Sequence, residues 1–314
     1  MKDSTYFFTV LGISLFICLF MTALNYAINI YGLFKPEVPV EMSVFADERQ
    51  SKYLLAHRYI PSHFDGVILG PSLSANLDPE PFSFGRFYNA SIMGGRVTPL
   101  KTLMEKSLEN NGYFEKALVC IHPYLTNHAE NDPKMHEKNY WGALGSLNLY
   151  RTYLIAAVRQ LELLPSKYPK NQYSPNGYND FEIFHKADDV AAKIKEETEK
   201  LTEEDFAINP VARQELIELT QMLNEAGTQI LFYYHPMPFE MYQQHQEKYD
   251  DYWQSILEIL EPVKGQAKFY NFNQPGHFDF LKNYDNYIDH GHFSQEGQAL
   301  FIQMLQSVLS RETT

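Results

Sequence analysis

Cysteine is scarce in this chain of 314 residues, and basic residues are outnumbered by acidic ones. The two cysteines, Cys18 and Cys120, lie in an apolar amino-terminal segment and in a later strand-like run, so nothing indicates a disulfide. The 26 lysines and arginines stand against 39 acidic residues, which gives a formal charge of −13. That charge repels phosphate backbones and argues against nucleic acid as a partner. The sequence also lacks internal repeats and low-complexity tracts.

Apolar residues, in contrast, are plentiful. They make up 45% of the chain, which is ample for a sizeable core. One apolar run begins at Tyr6, carries no charge as far as Leu24 and continues to Phe34, so its length predicts a transmembrane helix over residues 6–34. A cleavable signal peptide is the alternative, but the run exceeds the usual apolar region of a signal and no clear small-x-small cleavage site follows.

The position of this helix predicts a single-pass protein of the inner or cytoplasmic membrane. Residues 1–5 form a tail short enough to stay in the cytoplasm, although the charges that flank the helix give only a weak orientation signal. Residues 35–56 form a proline-stiffened linker and a first helix, predicted from Asp47 to His57. The remaining residues, 57–314, are expected to fold as one domain on the periplasmic or extracellular side.

Beyond the linker, strand-like runs alternate with helix-like segments, and this alternation predicts an α/β domain with a five-stranded parallel sheet. The helix predicted at 210–225 carries apolar residues at helical spacing and ends before a glycine. The predicted strands are Gly66–Leu69, Arg86–Asn89, Ala117–Ile121, Gln229–Tyr234 and Lys268–Phe272, and the helices between them include Pro99–Glu109 and Pro210–Glu225.

Residues from about 127 to 206 interrupt this alternation and are predicted to form a helical insertion. Tyr150–Leu164 has the pattern of an amphipathic helix, Ala187–Leu201 that of a charged helix, and a loop is expected near Pro165–Asn179. The insertion is either a cap or partner-facing lobe, or a solvated excursion without a role in binding.

Polar residues gather where predicted strands end. Ser72 follows the first strand through a Gly-Pro turn, and Asn89 and His122 follow the next two strands. Ligands of parallel α/β sheets bind beyond the carboxyl ends of the strands, so these three residues are expected to share one edge. Near the other end of the chain, Asp289 and His292 are spaced so that a carboxylate and an imidazole together can activate a hydroxyl. Ser294 is positioned to cap a helix that begins at Gln295.

These blocks resemble the SGNH (GDSL-like) hydrolase family, whose members present a Gly-Asp-Ser block, a block with asparagine and glycine, and a terminal Asp-x-x-His. The counterparts here are Gly70-Pro71-Ser72, Asn89 to Gly95, and Asp289 to His292. The resemblance implies a three-layer α/β/α fold of flavodoxin-like type. It also implies that Ser72 is the nucleophile, His292 the base and Asp289 its orienting partner. The backbone N–H groups of Ser72 and Gly94 would bind the oxyanion, with Asn89 at the same site.

Two departures from the family pattern concern the oxyanion site. Pro71 stands where the family has an aspartate, which removes a backbone donor and a side chain. The Gly-x-Asn-Asp block, whose asparagine normally donates to the oxyanion, is absent after the third strand. His122, Tyr124 and Asn127 are the candidates to replace that donor, although a histidine at the end of a strand is more often structural.

Several histidines and carboxylates near the end of the chain raise the alternative of a metal site. Their spacing fits no strong metal signature, and cysteine ligands are lacking, so no metal or cofactor is expected. His235, with Pro236 after the fourth strand, either lines the cleft or belongs to a rigid turn. The residues considered as metal ligands are His277, Asp285, Asp289, His290 and His292.

An anchor followed by an outer domain is similar to the layout of the membrane-tethered envelope members of the family, such as alginate O-acetylation proteins and the teichoic-acid D-alanylation protein. The resemblance implies a serine esterase or O-acyltransferase that adds or removes an acyl group, expected to be acetyl, on an envelope polysaccharide or lipid-linked glycan. A multi-spanning membrane acyltransferase is the expected partner. The alternatives are an esterase or lipase acting on acyl lipids, and a non-catalytic glycan-binding or scaffold protein.

Overall fold

The computed structural model describes residues 2–37, 48–109, 112–136, 147–161, 163 and 174–310. Its centre is one five-stranded sheet with the strand order β2-β1-β3-β4-β5, in which all neighbouring strands are parallel. The predicted α/β class and parallel sheet are therefore confirmed, and each strand lies within one residue of its predicted ends. The strands are β1 (Gly66–Leu69), β2 (Phe87–Asn89), β3 (Lys116–Ile121), β4 (Gln229–Tyr234) and β5 (Lys268–Asn271).

Helices precede, connect and follow the strands. They are α1 (Lys2–Ile28), α2 (Glu48–Ala56), α3 (Tyr59–His63), α4 (Ser72–Ala75), α5 (Val97–Glu109), α6 (Pro123–Thr126), α7 (Leu147–Gln160), α8 (Glu182–His185), α9 (Val190–Lys200), α10 (Pro210–Glu225), α11 (Phe239–Gln244), α12 (Gln246–Leu260), α13 (Phe278–Lys282) and α14 (Gln295–Ser310). Short 3₁₀ turns lie at Glu204–Phe206, Glu261–Val263, Pro275–His277 and Tyr284–Asn286.

Each predicted helix has a counterpart in the structure, but two bounds were wrong. The apolar segment is helical over Lys2–Ile28 rather than 6–34, and the helix predicted to reach Leu164 ends at Gln160. Helix α10 has its predicted bounds because Asn209 caps it, accepting a hydrogen bond from Val211 N at 2.9 Å, and proline suits the first helical position. Ser294 likewise caps α14, accepting from Gly297 N at 3.0 Å. The predicted helix start at Asp47 and the part of the predicted loop at 165–173 lie outside the described residues.

Both faces of the sheet are buried. Successive side chains of a strand point to opposite faces, so Val119 of β3 joins one apolar cluster and Leu118 joins the other. The first cluster packs against α2, α5, α10 and α12, and the second packs against α13 and α14. The carboxyl ends of the strands are thereby held at one edge of a rigid sheet.

Most of helix α1 lies outside this core, although its last residue, Ile28, packs against the first apolar cluster. Within α1, Ser4–Ile28 is long and apolar enough to cross a membrane, with a mean hydropathy of 2.4 over its most apolar stretch, and that stretch is not buried against the protein. Its large side chains, Phe7, Phe16 and Leu19 among them, are exposed. Among the described residues it is the one helix with these properties.

Candidate active site

Ser72 lies at the carboxyl edge of the sheet, as the first residue of α4. Gly70, in the turn before it, has no room for a side chain, because a Cβ there would lie 2.4 Å from Ser74 Oγ and 2.5 Å from Cys120 Cβ. Pro71 O accepts a hydrogen bond from Ser74 N at 3.1 Å and closes the turn. Ser72 is half-buried, and its hydroxyl makes no hydrogen bond with the described residues. The hydroxyl is therefore available for chemistry.

The side chain of Asn89 is hydrogen-bonded to the turn that carries Ser72. It is fully buried, and its amide nitrogen donates to the carbonyls of Ser74 at 2.7 Å and Leu77 at 2.8 Å. Its side-chain oxygen accepts from Ser91 N at 3.1 Å. Asn89, expected to contact the oxyanion or substrate, is thus fully engaged with backbone groups, and its place is that of a residue that positions Ser72.

The loop before α14 brings Asp289 and His292 together. His292 Nδ1 donates to Asp289 Oδ2 at 2.7 Å. The other carboxylate oxygen accepts the backbone N–H groups of Gly291 at 2.9 Å and His292 at 2.8 Å. Asp289 therefore orients both the ring and the backbone that carries it.

The environment keeps Asp289 ionised. Burial by itself would raise the pKa of its carboxyl, but the charge and hydrogen bonds of His292 outweigh burial and lower that pKa. When His292 is neutral, its proton therefore lies on Nδ1, next to the carboxylate. Its Nε2 then has a lone pair that can accept a proton. That Nε2 atom is buried and has no hydrogen-bond partner among the described residues, which is the arrangement that a general base needs.

The loop of His292 is fastened to the turn of Ser72. Asn76 Nδ2 donates to Phe293 O at 2.8 Å, and a Cβ added at Gly291 would lie 2.8 Å from Leu73 Cδ2. The residues that flank Ser72 and His292 are thus in direct contact. A hydrogen bond from Ser72 Oγ to His292 Nε2 is not formed in this structure, and such bonds in free enzymes often tighten only when substrate binds.

His235 supports the same loop from inside the domain. It is fully buried, and its Nε2 donates to Gly291 O at 2.8 Å, while Nδ1 lies 3.9 Å from Cys120 Sγ. Burial lowers the pKa of His235 to about 3, so the ring is neutral at pH 7. His235 therefore positions the residue before His292 rather than exchanging protons.

His122 follows β3, and its ring has the opposite polarity to that of His292. Its Nδ1 accepts a hydrogen bond from Tyr124 N at 3.1 Å. Burial, followed by the nearby His235, His290 and His292, lowers the pKa of His122 well below its ordinary value. A neutral ring whose Nδ1 accepts must carry its proton on Nε2. Within the part of the chain that the structure describes, that Nε2 atom is buried without a partner, so His122 offers an N–H donor there.

Gly94 lies in the segment after β2, in the left-handed conformation with φ of 61°. A Cβ added there would lie 3.8 Å from Tyr124 Oη, so this segment adjoins the loop of His122. The backbone N–H groups of Ser72 and Gly94 donate to no described residue, whereas Met93 N donates to Glu48 Oε2 at 2.9 Å. Two of the predicted oxyanion donors are therefore unoccupied.

A buried ion pair on α2 supports this segment, and sequence reasoning missed it. Lys52 is fully buried and donates from Nζ to Ser91 O at 2.6 Å, with Glu48 at 3.1 Å. Burial lowers the pKa of Lys52, and Glu48 opposes that shift. Both residues precede β2 by about forty positions, and no motif marks them.

The end of the insertion also contributes to the site. Asn176 O accepts from Asn89 N at 2.7 Å, and Asn179 N donates to Ala75 O at 3.2 Å. The buried ring of Phe181 packs edge-on against His292 with 5.1 Å between ring centroids. This part of the insertion therefore forms one wall of the site. No sequence pattern around Phe181 predicts its contact with His292.

Among the residues considered as metal ligands, Asp289 lies next to both His290 and His292, at 3.9 and 2.7 Å. His277 pairs with Tyr270 Oη at 3.0 Å, and Asp289 is engaged by His292. Within the part of the chain that the structure describes, no group of three or more histidine, cysteine or acidic residues is arranged to hold a metal ion.

Comparison with known proteins adds no family to this description. The chain matches no family model, and no curated protein matches it. The function must therefore be argued from the geometry of the site.

Proposed function

We propose that this chain is a membrane-anchored serine esterase or O-acyltransferase of SGNH type, with a three-layer α/β/α domain outside the membrane. The observation that carries the proposal is the pair formed by Asp289 and His292, whose Nε2 is buried, unpartnered and next to the turn of Ser72. An oriented imidazole with a free lone pair beside an unbonded serine is the arrangement that nucleophilic acyl chemistry requires.

In the proposed reaction, Ser72 Oγ attacks the acyl carbonyl and its proton passes to His292 Nε2. The tetrahedral intermediate collapses to an acyl-serine, and His292 returns the proton to the leaving oxygen. An acceptor hydroxyl, from a sugar or from water, then gives its proton to His292 and attacks the acyl-serine. The bond between the acyl carbon and Ser72 Oγ breaks, and His292 returns the proton to Ser72. Asp289 remains ionised throughout and stabilises the transient imidazolium.

His122 is proposed as the third oxyanion donor, in place of the absent asparagine. The support is its tautomer, because the hydrogen bond from Tyr124 N leaves the proton on Nε2. The other two candidates both contact Arg96: Asn127 Oδ1 accepts a hydrogen bond from its guanidinium, which also lies over the Tyr124 ring at 3.5 Å. Together with the N–H groups of Ser72 and Gly94, His122 would complete a three-donor site.

The proposed substrate is an envelope polysaccharide or lipid-linked glycan, with acetyl as the acyl group and a multi-spanning membrane acyltransferase as the donor's source. Helix α1 supports this choice, because an enzyme held at a membrane meets substrates that are themselves fixed there. A helix of this length at the amino terminus also suits an uncleaved anchor.

The test compares O-acetylation of the envelope polysaccharide, by mass spectrometry, in cells that carry the wild-type chain, Ser72→Ala or Ser307→Ala. Ser307 is an exposed serine on α14 and matches the chemical change. We expect Ser72→Ala to abolish the acetylation that depends on this chain and Ser307→Ala to preserve it. Full acetylation in both variants would refute the proposal.

A non-catalytic scaffold is the second candidate, and the open contact between Ser72 and His292 favours it. A scaffold predicts that Ser72→Ala leaves acetylation unchanged while deletion of the chain removes it. The comparison of deletion with Ser72→Ala therefore separates the two functions.

A further inference from the structure

Helix α7, in the insertion, is fastened to the end of α1. Tyr153 Oη donates to Asn25 Oδ1 at 3.0 Å, and Asn25 Nδ2 donates to Tyr150 Oη at 3.3 Å. Asn25 is only 2% exposed, although most of α1 before it is open. Helix α7 is thus held at the point where α1 ends.

Exposed leucines lie beside this contact, on α7 and just after it. Leu154 is 64% exposed, and Leu161 and Leu163, just past the helix, are 67% and 70% exposed. Leu154 and Leu161 are seven residues apart and so lie on the same side of the helix. Outside α1 and this segment, the large aliphatic side chains described as exposed, Val211 and Leu300, reach only 54% and 38%.

The length of α1 determines the depth at which α7 lies relative to the membrane. The 25 residues from Ser4 to Ile28 rise about 1.5 Å each, or about 37 Å in all, against about 30 Å of bilayer hydrocarbon. The last turn of α1, which contains Asn25, therefore reaches the polar interface when the rest of the helix spans the membrane. Tyrosines favour that level, and Tyr26, Tyr31, Tyr150 and Tyr153 all lie there.

We propose that α7 is an interfacial helix that lies on the outer leaflet, with Leu154, Leu161 and Leu163 inserted among the lipids. The exposed Arg151, three residues before Leu154, would then meet the lipid phosphates. The proposal rests on membrane insertion of α1, which belongs to the proposed function, but it does not depend on the chemistry of Ser72. It gives the first half of the insertion the role of setting the domain's orientation on the membrane.

The test measures tryptophan quenching by brominated lipids in the full chain, reconstituted into vesicles of phosphatidylcholine and phosphatidylglycerol. The variants are Leu154→Trp in α7, Phe16→Trp in α1 and Val211→Trp on α10, with the wild-type signal of the two native tryptophans subtracted. Val211 is the matched control, because it is an exposed apolar residue on a different helix, α10.

We expect Leu154→Trp to be quenched by lipids brominated near the headgroup, Phe16→Trp by lipids brominated deep in the chain, and Val211→Trp by neither. Quenching of Phe16→Trp with none at Leu154→Trp would overturn the α7 proposal alone. Absence of quenching at Phe16→Trp would overturn the anchor and α7 together. Protection of Leu154→Trp from both brominated lipid and aqueous acrylamide would assign this surface to a protein partner or second copy, which also contradicts the proposal.

Discussion

The loop after β3 and the loop before α14 each carry a histidine to the same edge of the sheet, but the two rings are prepared in opposite ways. His292 Nδ1 donates to Asp289, whereas His122 Nδ1 accepts from the backbone of Tyr124. Each ring has a buried Nε2 without a partner. The partner of Nδ1 therefore decides whether Nε2 is a base, as in His292, or a donor, as in His122.

In the proposed mechanism, this difference lets one residue type supply two of the functions that acyl transfer needs. A base needs a carboxylate behind it, because its charge rises during the reaction, and Asp289 is ionised beside His292. An oxyanion donor must stay neutral, and burial, with three other histidines nearby, keeps His122 neutral. Substitutions that alter the surroundings of these rings are expected to have effects of different size, of which the largest comes from Asp289.

Replacing Asp289 with asparagine should make His292 resemble His122. The amide keeps an acceptor for the backbone N–H groups but favours the wrong tautomer of the ring, for which about a 10⁴-fold loss of kcat is typical. We expect a loss of that order in hydrolysis of p-nitrophenyl acetate, with the circular dichroism spectrum unchanged. A loss smaller than tenfold in a folded variant would mean that Asp289 does not set the base.

Replacing His122 with alanine should remove one oxyanion donor and lower kcat about 10²–10³-fold, or about 2.7–4 kcal/mol. Glutamine is the matched variant, because its amide retains an N–H donor near the position of Nε2. We expect His122→Gln to recover part of the activity that His122→Ala loses, in the same ester assay. Equal losses in both variants, or no loss in either, would remove His122 from the oxyanion site.

A third histidine, His235, provides a smaller effect on stability. Its pKa of about 3 in the folded chain lies below about 6.5, its value when unfolded, so between these values the unfolded state binds one more proton. The stabilisation is complete above pH 6.5 and is lost as pH falls toward 3, by up to about 1.4 kcal/mol per pH unit. Urea unfolding of the detergent-solubilised chain should show a shallower pH dependence in His235→Gln, which keeps a donor to Gly291 O.

The control for this experiment is His63→Gln, since His63 is only partly buried on α3, far from the site. An unchanged pH dependence in His235→Gln, or an equal change in both variants, would show that His235 is not the buried neutral group described above.

The sequence predicts the framework of this molecule well, because its signals are local. Short runs of β-branched and aromatic residues mark the strands, and Ser294 marks the start of α14. The pairing of Asp289 with His292 is also readable, since three residues separate them on one loop. Features that depend on a single loop or element could be predicted.

Features that depend on distant parts of the chain could not. The engagement of Asn89 follows from how β2 packs beneath α4, and the contact of Phe181 with His292 follows from how the insertion returns to the domain. The tautomer of His122 depends on the backbone geometry at Tyr124, which no side-chain pattern records. The buried Lys52 belongs to the same class, because its partner carbonyl lies 39 residues away.

The most direct test of the central claim is labelling of the full chain with a fluorophosphonate, with the modified residue located by peptide mass spectrometry. The account predicts that Ser72 alone is labelled, that Ser72→Ala abolishes labelling, and that Asp289→Asn slows it. Absence of label from Ser72 in the folded protein, or equal labelling of the Ser72→Ala variant, would contradict the claim that His292 activates this serine.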